Sequence, residues 1–152
     1  MKQAIGADGS MQVLLVEDSP GDVRLTQVAL HEANPNIKLH VAMDGVEAMA
    51  FLLREGTYTS APRPDLILLD LNLPKMDGRD VLAHIKADDN LKTIPTIILT
   101  TSMAEADIVK SYQLQANCYL GKPVQLDAFE NLVYSINDFW LTKAELPHHG
   151  RH

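Results

Sequence analysis

Cysteine is almost absent: Cys118 is the only one in 152 residues. That rules out an internal disulfide framework and fits a reducing compartment. No apolar run approaches the ~18–20 residues that span a bilayer. The opening "MKQAIGADGS" lacks the apolar stretch of a secretion signal. A cytoplasmic location is therefore expected. The chain has no basic run and no Cys/His finger spacing, and its formal net charge is −7. A phosphate backbone is a poor partner for such a chain, so neither nucleic acid nor membrane is expected among its partners. There is no internal repeat and no low-complexity tract. The length suits one domain with a full core and is short for two.

Short apolar runs alternate with helix-like segments. "QVLLVE" (12–17) reads as a buried strand, and Ser19-Pro20 supplies an N-cap and an N1 proline for a helix over 20–33. "NPN" ends it, and "IKLHVA" (37–42) alternates as a second strand. Asp44 caps a helix over 45–54, and the turn-rich "GTYTSAPRP" leads to "DLILLD" (65–70), the most continuously apolar strand. Such a run belongs at the centre of a parallel sheet. A helix over 78–87, a strand over 95–100, a helix over 105–114, a short strand over 118–121 and an amphipathic helix over 125–141 complete the series. Five β–α alternations predict an α/β fold, a parallel sheet covered on both faces. A boundary is expected at each end: a flexible arm over 1–10, the domain over 11–143, and a polar tail over 144–152. The tail's His148, His149 and His152 read as solvated residues, not as a metal site.

In open parallel sheets, ligands bind beyond the carboxyl ends of the strands. Glu17 and Asp18 follow the first strand and Asp70 the third; Thr100 follows the fourth and Lys122 the fifth. A single carboxylate at a strand end is ordinarily a turn residue or a cap. The joint pattern at successive strand ends is much harder to obtain by chance. Three gathered carboxylates repel by about 4 kcal/mol per pair at ~4 Å and an effective dielectric of ~20. Lys122 offsets part of that, and a divalent cation offsets more. Oxygen ligands without imidazole or thiolate select a hard ion, and an open shell retaining water selects Mg²⁺ over Ca²⁺. Mn²⁺ is the natural substitute.

At this point four segments carry a resemblance. "LLVEDSPGD", "PDLILLDLNLPKMDG", "IPTIILTTS" and "YLGKP" resemble the motifs of the response-regulator receiver domain, over about Met11 to Thr142. The thirty residues from Asp70 to Thr100, and twenty-two more to Lys122, are that family's spacing. The resemblance implies a five-stranded (βα)5 sheet of strand order 2-1-3-4-5. It implies Asp70 as the phosphoacceptor, taking a phosphoryl group from a histidine kinase. By the same resemblance Asp18 ligates Mg²⁺ directly and Glu17 through water, and the Asn72 backbone carbonyl completes the protein ligands. Lys122 pairs with Asp70 and then with a phosphoryl oxygen. Thr100 donates its hydroxyl to the phosphoryl group, with Thr101 as the less well-spaced competitor, and Tyr119 turns inward afterwards. The Lys122–Pro123 bond is expected to be cis. "EDSPGD", "EGTYTSAPRP", "ANCYLGKP" and "DFWL" further resemble the small regulators paired with bacterial phytochromes. A phosphoacceptor switch is expected in place of a turnover enzyme.

Three rival readings compete for the same residues. A haloacid-dehalogenase-like phosphatase also uses an Asp nucleophile with Mg²⁺, but needs a second Asp two residues on as general acid. Asn72 stands there and cannot deliver a proton. A nucleotide-binding flavodoxin-like module wants a glycine-rich turn after the first strand, where this chain offers Glu17 and Asp18. A degenerate receiver used as a binding surface has no support, because every site position is filled. The last helix adds an assembly expectation. Leu126, Phe129, Val133, Ile136 and Trp140 form one stripe, with Ala128, Leu132 and Phe139 beside it. The combined arc, about 160°, exceeds the ~100° that packing on one sheet requires. With Ile108 or Tyr112 of the preceding helix, this predicts a homodimer through the fourth helix, fifth strand and last helix.

Overall fold

The computed structural model describes residues 10–147. Five strands, β1 (Met11–Val16), β2 (Ile37–Ala42), β3 (Leu66–Leu69), β4 (Thr96–Thr100) and β5 (Cys118–Gly121), alternate with five helices. The helices are α1 (Pro20–Ala33), α2 (Gly45–Leu53), α3 (Gly78–Ala87), α4 (Glu105–Gln113) and α5 (Leu126–Ile136). All strand pairs are parallel, in the order β2-β1-β3-β4-β5. This is the expected arrangement, and it puts every strand's carboxyl end on one edge. The expected arm falls almost wholly on residues 1–9, and His148, His149 and His152 on the far end; all lie outside the described residues.

The central strands are apolar on both faces because both are covered. Val13, Leu15, Leu66, Leu68, Ile97 and Leu99 pack with Ala29 and Leu30 of α1 and Phe129, Val133 and Ile136 of α5. Leu14, Val16, Ile67, Leu69 and Ile98 face the other way, onto α2 and α3. This period-two division fixes which strand-end residues share a side. Ser19 and Asp44 cap α1 and α2 as expected, accepting from the amides of Asp22 and Glu47. Asp77 does the same for α3 through the Arg79 amide.

Two local features depart from the expected layout. The final helix is not one continuous α-helix to residue 141: it is α-helical to Ile136 and widens into a π-helical turn over Asn137–Leu141. The extra residue per turn rotates the stripe, so Leu141 is buried at 2% exposure in the place expected for Trp140. Asn137, also buried, accepts a bond from Asn34 Nδ2 across to the end of α1. Beyond the expected boundary at 143 the chain stays packed, and Leu146 enters the α1–α5 side of the core. Among the described residues, no helix is long and apolar enough to cross a membrane.

Candidate functional site

Each acidic residue reaches the sheet edge because its strand stops there. The backbone N–H of Glu17 donates to Ala42 and that of Asp70 to Val16, so both residues extend the ladder by one step. Their side chains are buried, whereas Asp18, already in the turn, is exposed. Carboxylate oxygens of Glu17, Asp18 and Asp70 lie within 4.8 Å of one another. Gly78 permits this layout. A Cβ there would lie 2.1 Å from the Asp70 backbone oxygen, so only glycine lets α3 start so close behind the β3 end.

Lys122 sits one residue past β5, and its backbone N–H donates to the Thr100 carbonyl at 2.8 Å. Its ammonium donates to Glu17 Oε1, to Asp22 Oδ2 at 2.9 Å and to Asp70 Oδ2 at 3.1 Å. Burial by itself would lower its pKa. The bonds to Glu17 and Asp22 and the charge of Asp70 outweigh that and hold it above the ordinary lysine range. Burial pushes the Glu17 carboxyl up, with Lys122 pulling the other way. The cation is thus secure, and the acids beside it are crowded.

The Lys122–Pro123 bond corrects an expectation: among the described residues no peptide bond is cis, and this one is trans. Trans is the lower-energy form of an X–Pro bond by about 0.5–1 kcal/mol. With its N–H still in the β4 ladder, Lys122 reaches the acids through its long side chain, and no cis bond is needed to turn it back.

Thr100 ends β4 fully buried in the strand beside that of Asp70, and its Oγ1 accepts from the Ser102 amide at 3.3 Å. Thr101 is exposed. The amide of Asn72 donates to Asp70 Oδ1 at 3.3 Å. The Tyr119 hydroxyl is turned toward the β4–α4 loop and donates to the Ser102 carbonyl at 2.8 Å. Ser102 Oγ in turn donates to Asp107 Oδ2 at 2.6 Å. Arg79 of α3 grips the same carboxylate with both Nε and a terminal nitrogen, at 2.9 and 2.8 Å.

Two features were not foreseen. Asp22 stands inside "EDSPGD", one turn after Asp18, and that spacing was its only signal. The Arg79–Asp107 fork had none, because neither residue belongs to a motif and its partner is on another helix.

The donor set suits a hard divalent cation: three clustered carboxylates, no imidazole and no thiolate. Acids, a buried ammonium and a buried hydroxyl at the carboxyl edge of a 2-1-3-4-5 sheet define a receiver domain. The chain belongs to that family: the response regulator receiver domain model matches residues 13–134. It is 50% identical over 135 residues to the response regulator Rcp1 of Synechocystis sp., covering 89% of this chain and 92% of that protein. The crystal structure of the phosphorylated cyanobacterial phytochrome response regulator RcpA superposes with a TM-score of 0.89 at 50% identity, over 91% of this chain and 99% of that one. The Mn²⁺-bound form of Rcp1 superposes with a TM-score of 0.87, also at 50% identity, over 90% and 99%.

Proposed function

We propose that this chain is a response regulator that accepts a phosphoryl group on Asp70 from a phytochrome-type sensor histidine kinase, in a step that depends on Mg²⁺. The observation that carries the reading is the Lys122 ammonium, 3.1 Å from Asp70 Oδ2 beside the cluster that Asp70 forms with Glu17 and Asp18. Glu17 and Asp18, with Asp70 and the Asn72 carbonyl, are the residues that would hold the cation. When bound, the cation neutralises the acids and the incoming phosphoryl oxygens. Phosphoryl transfer asks for positioning and charge neutralisation more than for covalent help. An Asp70 oxygen attacks phosphorus, the bond to the donor's imidazole nitrogen breaks, and Lys122 moves its charge onto a phosphoryl oxygen. Thr100 then donates its hydroxyl to a phosphoryl oxygen, a strong charged acceptor, while its own oxygen is free to keep accepting from the Ser102 amide. Tyr119, tied to Ser102, follows the loop.

The histidine-kinase partner and its phytochrome type are supported by the relatives, which include a cyanobacterial phytochrome response regulator. The same reading makes the protein a switch and not a turnover enzyme, acting in the cytoplasm. It also acts as a homodimer through α4, β5 and α5, where Val109, Tyr112, Leu126 and Phe139 remain exposed.

The test is labelling of wild type and Asp70→Asn with acetyl phosphate, with and without chelator. Wild type is expected to label only with Mg²⁺, and Asp70→Asn not to label. Equal labelling of the two overturns the assignment.

A further inference from the structure

The Lys122 ammonium has three N–H bonds and three carboxylates to receive them. Two of these, Glu17 and Asp70, belong to the acid cluster; the third, Asp22, does not. Asp22 comes from the first turn of α1, and its backbone N–H is tied to Ser19 Oγ at 3.3 Å. Its carboxylate reaches across to the residue after β5, a hundred positions away in the chain. The Lys122 side chain is 6% exposed and that of Asp22 31%, so Asp22 closes the site on the solvent side of the ammonium.

The three acceptors are not equivalent once the cluster is loaded. A divalent cation held there would draw the carboxylates of Glu17 and Asp70 toward itself, directly or through water, and would repel a neighbouring ammonium. Asp22 alone keeps its full acceptor capacity.

We propose that Asp22 is a positioning residue: it holds the Lys122 ammonium beside Asp70 while the acid cluster carries a divalent cation, so that the ammonium is in place for an incoming phosphoryl oxygen. The inference rests on the reading of Asp70 as phosphoacceptor. Asp22 acts through Lys122 and touches no reacting atom.

The experiment is a double-mutant cycle on the full chain: wild type, Asp22→Asn, Lys122→Met and the double variant, each labelled with acetyl phosphate at saturating Mg²⁺. Asp22→Asn is expected to label about tenfold more slowly, the scale of one charge-assisted hydrogen bond. It should cost nothing further once Lys122 is already Met. A second readout needs no phosphate: modification of Lys122 by an amine-reactive reagent, located by mass spectrometry, with and without Mg²⁺. In wild type Lys122 stays protected in both conditions. In Asp22→Asn it is expected to become about tenfold more reactive only when Mg²⁺ is present, and Asp22→Glu is expected to restore protection.

Equal slowing by Asp22→Asn in both Lys122 backgrounds would mark a general charge effect and overturn the proposal. So would a Lys122 reactivity in Asp22→Asn that ignores Mg²⁺. Labelling of Asp70→Asn at the wild-type rate would overturn the phosphoacceptor reading instead, so the two failures are separable.

Discussion

A side chain at position 78 has nowhere to go. Its Cβ would lie 2.1 Å from the Asp70 backbone oxygen and 2.6 Å from Leu71 Cα, both main-chain atoms that cannot swing aside. The Gly78 amide also donates to the Leu71 carbonyl at 2.8 Å, so the helix start and the loop after β3 move as one. Gly78→Ala is therefore expected to cost about 3 kcal/mol, at the upper end of overpacking effects. Urea denaturation measures it. Labelling at Asp70 should slow as well, because the displaced atom belongs to the backbone of the proposed phosphoacceptor. An unchanged stability would mean that the helix shifts to make room.

Among the helices α1 to α5, α4 has the fewest buried residues. Ser111 is its one buried residue, and Ala104 at its N-cap offers no side-chain acceptor. What ties its first turn down is Asp107, held by the Arg79 fork from α3 and by Ser102 from the preceding loop. An acid in a first helical turn also suits the helix dipole. Such an element, held by a few polar contacts over little buried surface, is suited to move when a neighbour changes charge. The same contacts make a pH prediction. The bonds from Arg79, then from Ser102, pull the Asp107 carboxyl down from 3.8 to about 2. A group whose pKa is lower folded than unfolded stabilises above its unfolded value and loses that contribution as pH falls through its folded one. The stability difference between wild type and Asp107→Asn should therefore be constant above about pH 4 and shrink between about pH 4 and 2. Urea titrations across that range decide it, and a difference that stays constant down to about pH 2 would reject the linkage.

At the scale of the whole molecule, the open question is assembly. Phe129, Val133 and Ile136 are consumed by the core, so the wide apolar arc of the last helix is partly accounted for within one chain. What remains outward is Leu126 at 57% exposure and Phe139 at 54%, with Val109 and Tyr112 on α4 at 44% and 50%. Phe139 stands edge-on to Trp140 with ring centroids 5.4 Å apart, giving a preformed aromatic projection of the kind that anchors interfaces. A dimer is expected by light scattering after size exclusion, and Phe139→Glu should give a folded monomer that still labels at Asp70. A wild-type monomer at high micromolar concentration, with and without phosphorylation, would end the proposal.

The sequence by itself determined what depends on local period and on strand ends. Unbroken apolar runs in "LLVE" and "LILLD" and alternation in "IKLHVA" marked the strands, and Ser19 and Asp44 marked helix starts. In a parallel sheet, the residue after each strand must lie on the common edge. That rule alone brings Glu17, Asp18, Asp70 and Lys122 together before any contact is seen. Only the tertiary structure decided the contacts between segments distant in the chain. Asp22 reaches Lys122 because α1 and the β5–α5 loop flank the same edge, and Arg79 reaches Asp107 because α3 and α4 begin side by side. The π turn at Asn137–Leu141, which buries Leu141 and leaves Trp140 partly buried against the same core, answers to the fit of α5 against α1. The bond before Pro123 keeps the ordinary trans form, and the Lys122 side chain still reaches Asp70. Beyond the spacing of Asp22 after Asp18, the cross-chain contacts and the π turn have no local signature, because each is settled by the space left between elements once they pack.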